Sequence, residues 1–81
     1  MKVTVQFFAA ARDRADAESI EIEVPDGASV GTLRAAIVEI CPALADIAAH
    51  LHIALDDSYA TDDAVITGTQ RVACFPPVSG G

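Results

Sequence analysis

Apolar and polar residues alternate in two stretches near the start of the chain, the second of them without a fault. Residues 2–8 put Val3, Val5 and Phe7 on one face; residues 19–24 put Ile20, Ile22 and Val24 inward, with Glu21 and Glu23 outward. A period of two over this length predicts half-buried strands. Residues 9–17 between them, with Arg12, Asp13 and Arg14 at the centre, read as a loop holding at most a short helical turn at Ala9-Ala10-Ala11. Pro25-Asp26-Gly27 is a turn, and after it the period changes. Val30, Leu33, Ile37 and Ile40 fall on one helical stripe, with Arg34 and Glu39 off it. Ser29 is placed to cap a helix that runs to Cys41.

Pro42 stops that helix and starts a second, short one over residues 43–49, with Leu44 and Ile47 inward. Residues 52–56 read as a short strand, turning at Asp57-Ser58 into an edge piece at Tyr59-Ala60-Thr61. Asp62-Asp63 is another turn, and Ala64-Val65-Ile66 leads to Gly68. Residues 70–75 form a closing strand, with Val72 and Cys74 facing one way and Ala73 and Phe75 the other. In this order the helix crosses the sheet to bury its stripe, and the closing strand lies parallel beside the first. The expected fold is α+β, a β-grasp or ubiquitin-like layout, with a mixed sheet of about four to five strands packed on one main helix. Residues 1–75 would form the domain and residues 76–81 a flexible C-terminal tail.

Composition narrows the function classes. Twelve acidic against 5 basic residues give a net charge of -7, which disfavours nucleic acid and suits a partner with a basic face. A hydrophobic fraction of 52% argues for a packed core, and no apolar run is long enough to span a bilayer. Val3 to Phe8 alternates with polar residues before Arg12-Asp13-Arg14, unlike a secretory signal, so a cytoplasmic location is expected. Cys41 and Cys74 fit neither a disulfide framework nor a zinc spacing and read as packing residues. His50 and His52 share a strand face but have no third ligand at a sensible spacing. Asp56-Asp57 and Asp62-Asp63 lack the glycine-centred loop of a calcium site. With no phosphate loop or nucleophile constellation, no metal and no catalytic site within the chain are expected.

The residues after the closing strand carry the chemistry. Pro76 and Pro77 cannot extend a paired strand, because neither supplies an N–H and each fixes φ. Val78, Ser79, Gly80 and Gly81 follow with little side-chain bulk, so the end is narrow. A carboxylate on such a stalk fits a tight channel belonging to another protein.

The ending Val72-Ala73-Cys74-Phe75-Pro76-Pro77-Val78-Ser79-Gly80-Gly81, the first strand reaching Phe7-Phe8-Ala9, and Arg12 soon after it resemble the MoaD/ThiS sulfur-carrier family. The resemblance covers essentially the whole chain in length and element order, and the double proline points to the molybdopterin branch. It implies a sulfur carrier in molybdenum cofactor biosynthesis. An E1-like adenylyltransferase would consume ATP to adenylate Gly81, and a sulfur donor would then displace AMP to leave a thiocarboxylate. The tail would enter the large subunit of molybdopterin synthase and pass sulfur to cyclic pyranopterin monophosphate, two deliveries building the dithiolene. Catalytic side chains would sit on the large subunit, in a heterotetramer, with no cofactor bound permanently to this chain. By position, Gly81 would be the sulfur donor, and Gly80, Ser79, Val78, Pro77 and Pro76 would thread the channel. Phe75, Phe8 and Arg12 would contact the partners.

Three departures from the family pattern bear on partner choice. Thr69-Gln70-Arg71 stands where an acidic pair is common, Cys74 where the strand often has a second aromatic, and the segment from Ile53 to Tyr59 is unusual. The alternatives are a carrier for thiamine or an amino acid, a ubiquitin-like modifier joined to lysines through Gly81, and an interaction domain with an idle tail.

Overall fold

Ser29 opens the longest helix, its hydroxyl oxygen accepting a hydrogen bond from the Thr32 N–H at 3.2 Å. The cap satisfies one of the amides that a helix start leaves without an internal partner. In the computed structural model, which describes residues 1–77, the elements run β1 (Lys2–Phe7), α1 (Ala9–Ala15), β2 (Ser19–Glu23) and α2 (Val30–Ile40). Two single 3-10 turns, Pro42–Leu44 and Ala48–His50, lead to β3 (His52–Leu55), β4 (Ser58–Ala60) and β5 (Val72–Phe75). Five strands among the described residues make one mixed sheet in the order β2-β1-β5-β3-β4.

The central pairing is parallel: Val5 opposes Val72 and Phe7 opposes Cys74. The flanking pairs, β1 with β2 and β3 with both β4 and β5, are antiparallel. A parallel neighbour requires a crossover, and α2 lies in it. The core takes Val3, Val5 and Phe7 of β1, Ile22 of β2, Val72 and Cys74 of β5, and Val30, Leu33 and Ile37 of α2, all buried. The expected alternation of β1, β2 and β5 is therefore the observed one, and the fold is the β-grasp.

The structure corrects the sequence reading in three places. Residues 9–17 are not a loop: Ala9–Ala15 is helical, and it buries only Ala11. Alanine-rich sequence favours the helix without leaving an apolar stripe to read. Arg12 and Arg14 in its last turn suit the negative end of its dipole. Residues 43–49 are not one helix, because the guanidinium of Arg34 donates to the Ala48 and Leu51 carbonyls at 2.7 and 2.6 Å. That clamp fixes the short segment as separate turns, while Leu44 is buried and Ile47 half-buried as expected. Ile40 continues the helical stripe in sequence but is 51% exposed. The chain leaves helical geometry at Cys41, whose side chain is buried instead.

The β3–β4 turn, Asp56-Asp57, has φ of 49° and 71°. Positive φ at both positions matches the twist of a two-residue hairpin, and Asp tolerates it better than most residues. Arg71 offsets this pair of like charges. Its N–H donates to the Asp56 carboxylate at 2.9 Å, and its guanidinium donates to Asp57 at 2.8 Å. The departure at position 71 thus has a local partner in the turn.

Truncating Leu33 to Ala should cost about 2–5 kcal/mol, because the side chain is fully buried and its removal leaves a cavity in the core. Ile40→Ala should stay within about 0.5 kcal/mol of the parent. Urea unfolding checks both: the midpoint should fall for the first variant and hold for the second.

Candidate functional site

Alternation along β5 turns Ala73 and Phe75 to the face of the sheet opposite α2, where they meet the outward residues of β1, β3 and β4. Phe8, just past β1, stacks on Phe75 with ring centroids 4.7 Å apart and planes 9° from parallel. Tyr59 of β4 meets Phe75 edge-on at 6.0 Å, and His52 of β3 stacks on Tyr59 at 5.2 Å. Ala54 and Ala73 are neighbours across β3 and β5 and form a low floor between the rings. The result is a hollow of about 320 Å³, walled by Phe8, Phe75 and Tyr59, with Asp57 and Arg71 at its rim.

This surface is apolar and accessible. Phe8 is 36% and Tyr59 69% exposed, and Phe75 is half-buried. Aromatic pairs of this geometry contribute about 0.5–1.5 kcal/mol each beyond area burial, so the rings hold one another in place. A single exposed aromatic needs no explanation, but Phe8, Phe75 and Tyr59 together form a contiguous aromatic patch.

Phe75 and Phe8, both expected to contact partners, are thus brought together. Arg12 lies one helical turn on, its N–H directed to the Phe8 carbonyl at 3.4 Å. It is exposed and makes no ion pair among the described residues. The backbone at the junction is unusual, since Ala9 has φ of 53°. A left-handed alanine costs roughly 1–2 kcal/mol, and the fold accepts it where the chain turns away from Phe8.

Pro76 and Pro77 are half-buried and continue from Phe75. Pro77 lies in a wide groove of about 600 Å³ with His50, His52, Tyr59 and Arg34. Arg34 also holds the Asp62 carboxylate at 2.9 Å, so one guanidinium joins α2, the Ala48–His50 turn and the Asp62 turn beneath the exit. Val78, Ser79, Gly80 and Gly81, the expected threading residues and sulfur donor, lie outside the described residues.

The remaining candidates have structural surroundings. Cys41 and Cys74 are buried, and burial pushes both thiols up, Cys74 to about 11. Among the described residues no three His, Cys, Asp or Glu side chains are grouped to hold a metal. No helix among them is long and apolar enough to cross a membrane. Tyr59 and His52 were not singled out from sequence as contact residues. The available signal was pairing: Tyr59 opposes Ala54 and His52 opposes Phe75, which puts both beside the last strand's outward aromatic.

Comparison with known proteins places this geometry among relatives. The ThiS family model matches residues 5–81. The molybdopterin synthase sulfur carrier subunit of Arabidopsis thaliana is 27% identical over 81 residues, covering 100% of this chain and 84% of that one. The crystal structure of SAMP1 from Haloferax volcanii is similar at TM-score 0.86 and 25% identity, covering 100% of both chains. A molybdopterin converting factor subunit 1 from Pyrococcus furiosus is similar at TM-score 0.83 and 31% identity, covering 96% of this chain and 99% of that one. A chain in the complex of subunits 1 and 2 of the molybdopterin-converting factor of Helicobacter pylori is similar at TM-score 0.68 and 26% identity, covering 100% of both.

The buried thiol of Cys74 gives a pH dependence. Unfolding releases it to an ordinary value near 9.0, whereas the folded chain holds its proton to about 11. Between those values the folded state binds more protons, so stability falls as pH rises. The urea midpoint should drop across this window, and Cys74→Ala should make the drop shallower.

Proposed function

Because this chain belongs to the ThiS family, we propose that it is the sulfur carrier subunit of a molybdopterin synthase. One observation carries the reading. The strand that leads into Pro76-Pro77 also presents Phe75 in an exposed aromatic patch with Phe8 and Tyr59. A partner that docks on the patch therefore receives the tail at a fixed point of entry. The likeness to the Arabidopsis carrier subunit and to a Helicobacter chain that pairs with a second subunit supports a large-subunit partner.

The chemistry follows from the carboxylate of Gly81. A carboxylate is a poor electrophile, so an E1-like adenylyltransferase first joins it to AMP from ATP. A sulfur donor displaces AMP and leaves a thiocarboxylate, whose sulfur is nucleophilic and held by the acyl group against loss as free sulfide. The narrow Gly80-Gly81 end carries it into the large subunit, where it attacks cyclic pyranopterin monophosphate. A net charge of -7 speeds docking on a basic partner face, and the association rate then falls as salt rises. The setting is cytoplasmic.

A second reading is favoured by the likeness to SAMP1, a modifier by name in related solved structures. There Gly81 would be joined to lysines of other proteins. The products differ: a small thiocarboxylated chain in the first case, conjugates of higher mass in the second.

Thiocarboxylated chain mixed with large subunit and cyclic pyranopterin monophosphate should yield molybdopterin, and deletion of Gly81 should abolish the product. Product that survives the deletion would contradict the proposal. Phe75→Ala should weaken binding to the large subunit about thirtyfold or more, as read by calorimetry, since a central aromatic anchor contributes about 2 kcal/mol or more.

A further inference from the structure

A chain whose own carboxyl end is turned into an acyl donor must coexist with its own amines. Lys2 is the only lysine; the other four cationic side chains are Arg12, Arg14, Arg34 and Arg71. Guanidinium stays protonated at any ordinary pH and is not acylated, whereas a lysine amine can be. All the ion pairs between side chains among the described residues use arginine, at Asp46, Asp62 and Asp57. The N-terminal amine is engaged: it donates to the Val24 carbonyl at 2.6 Å and lies 3.3 Å from the Asp26 carboxylate. Lys2, by contrast, is exposed and makes no ion pair among the described residues.

The surroundings of Lys2 suit an extended chain. β5 pairs with β1 only from Val5 onward, so the edge of β1 opposite β2 has no strand partner through its first residues. There a cleft of about 220 Å³ opens between Lys2, Thr4 and Gln6 on one side and Thr67, Gly68 and Gln70 on the other. Its walls are polar, as a main chain with almost no side chains would require.

We propose that Lys2 is the single side-chain acceptor through which the activated Gly81 of one copy is joined to another copy. The inference rests on adenylation of Gly81 as proposed above. The Lys2 amine attacks the acyl carbonyl of the adenylate, forming a C–N bond. The C–O bond to phosphate breaks, AMP leaves with the electron pair, and the surplus proton passes to water. With one donor end and one acceptor per copy, the products are linear and unbranched.

Geometry directs the transfer between copies. Phe7 opposes Cys74, so Phe75 is level with Phe8, and Lys2 lies six residues, or about 20 Å, back along β1. The six residues from Pro76 span at most about 20–22 Å fully extended. Reaching Lys2 of the same chain would need the tail to double straight back. Pro76 and Pro77 stiffen that segment, and Pro77 lies over β3 beside His50 and His52, away from β1.

The test uses two forms of the full chain with ATP and the adenylyltransferase from the same organism. K2R has a donor end and no acceptor lysine; the Gly81-deleted chain keeps Lys2 and lacks the donor. Pyrophosphate release first reports whether K2R is adenylated. The mixture should then give a product with the mass of the two chains less one water. Tryptic digestion should find residues 72–81 attached to Lys2, since Arg71 is the last tryptic site of the donor. K2R alone should give no dimer, a complete loss relative to the parent chain. Adenylation with no Lys2-linked product, dimers from K2R alone, or a parent monomer that has lost one water would each overturn the inference and leave the carrier reading intact. Absence of pyrophosphate release would overturn that reading, and the inference with it.

Discussion

The parallel pairing of β1 and β5 is the constraint on which the rest of this structure depends. Two neighbouring parallel strands cannot be joined by a tight turn, so the chain between them must cross one face of the sheet, and α2 makes that crossing. Its stripe of Val30, Leu33 and Ile37 covers the inner residues of both strands. Once that face is closed, the outward residues of β5 are left on the other face at the centre of the sheet. Phe75 is the last of them. Phe75 therefore stands at the end of a central strand, with β1 on one side and β3 on the other.

The site grows out of this arrangement without a dedicated loop. Phe8 closes over Phe75 because the Phe8 N–H donates to the Cys74 carbonyl at 3.1 Å, extending the β1–β5 contact by one residue. Tyr59 arrives from the β3–β4 hairpin, whose turn is tied to Arg71 just before β5. Pro76 and Pro77 then end the ladder, since neither can donate a hydrogen bond. Rigid aromatics and a chain that cannot pair further stand next to each other. The proposed carrier would have to be gripped firmly and yet surrender its end to another protein's channel, and this contrast would serve both needs.

Most of the frame was legible in the sequence because it rests on periodicity. The alternation in β1 and β2 follows from one face being buried, and α2 ends where Cys41 and Pro42 interrupt it. What escaped notice lacked an apolar signal. α1 buries one alanine, and Tyr59 and His52 acquire a shared surface with Phe75 only through strand register. The clamp by Arg34 was also hidden, because carbonyls at residues 48 and 51 leave no mark on composition. Ile40 shows the opposite error, an apolar residue of the right spacing placed where the helix has already run out of core to cover.

The claim at the centre of this account is that Gly81 carries sulfur. The intact mass of the chain, made together with its activating enzyme and a sulfur source, tests it most directly, with a Gly81-deleted chain as control. A mass shift equal to replacement of one oxygen by one sulfur is expected in the parent and not in the control. An unshifted parent chain, with an activating enzyme that releases pyrophosphate from ATP in its presence, would contradict it.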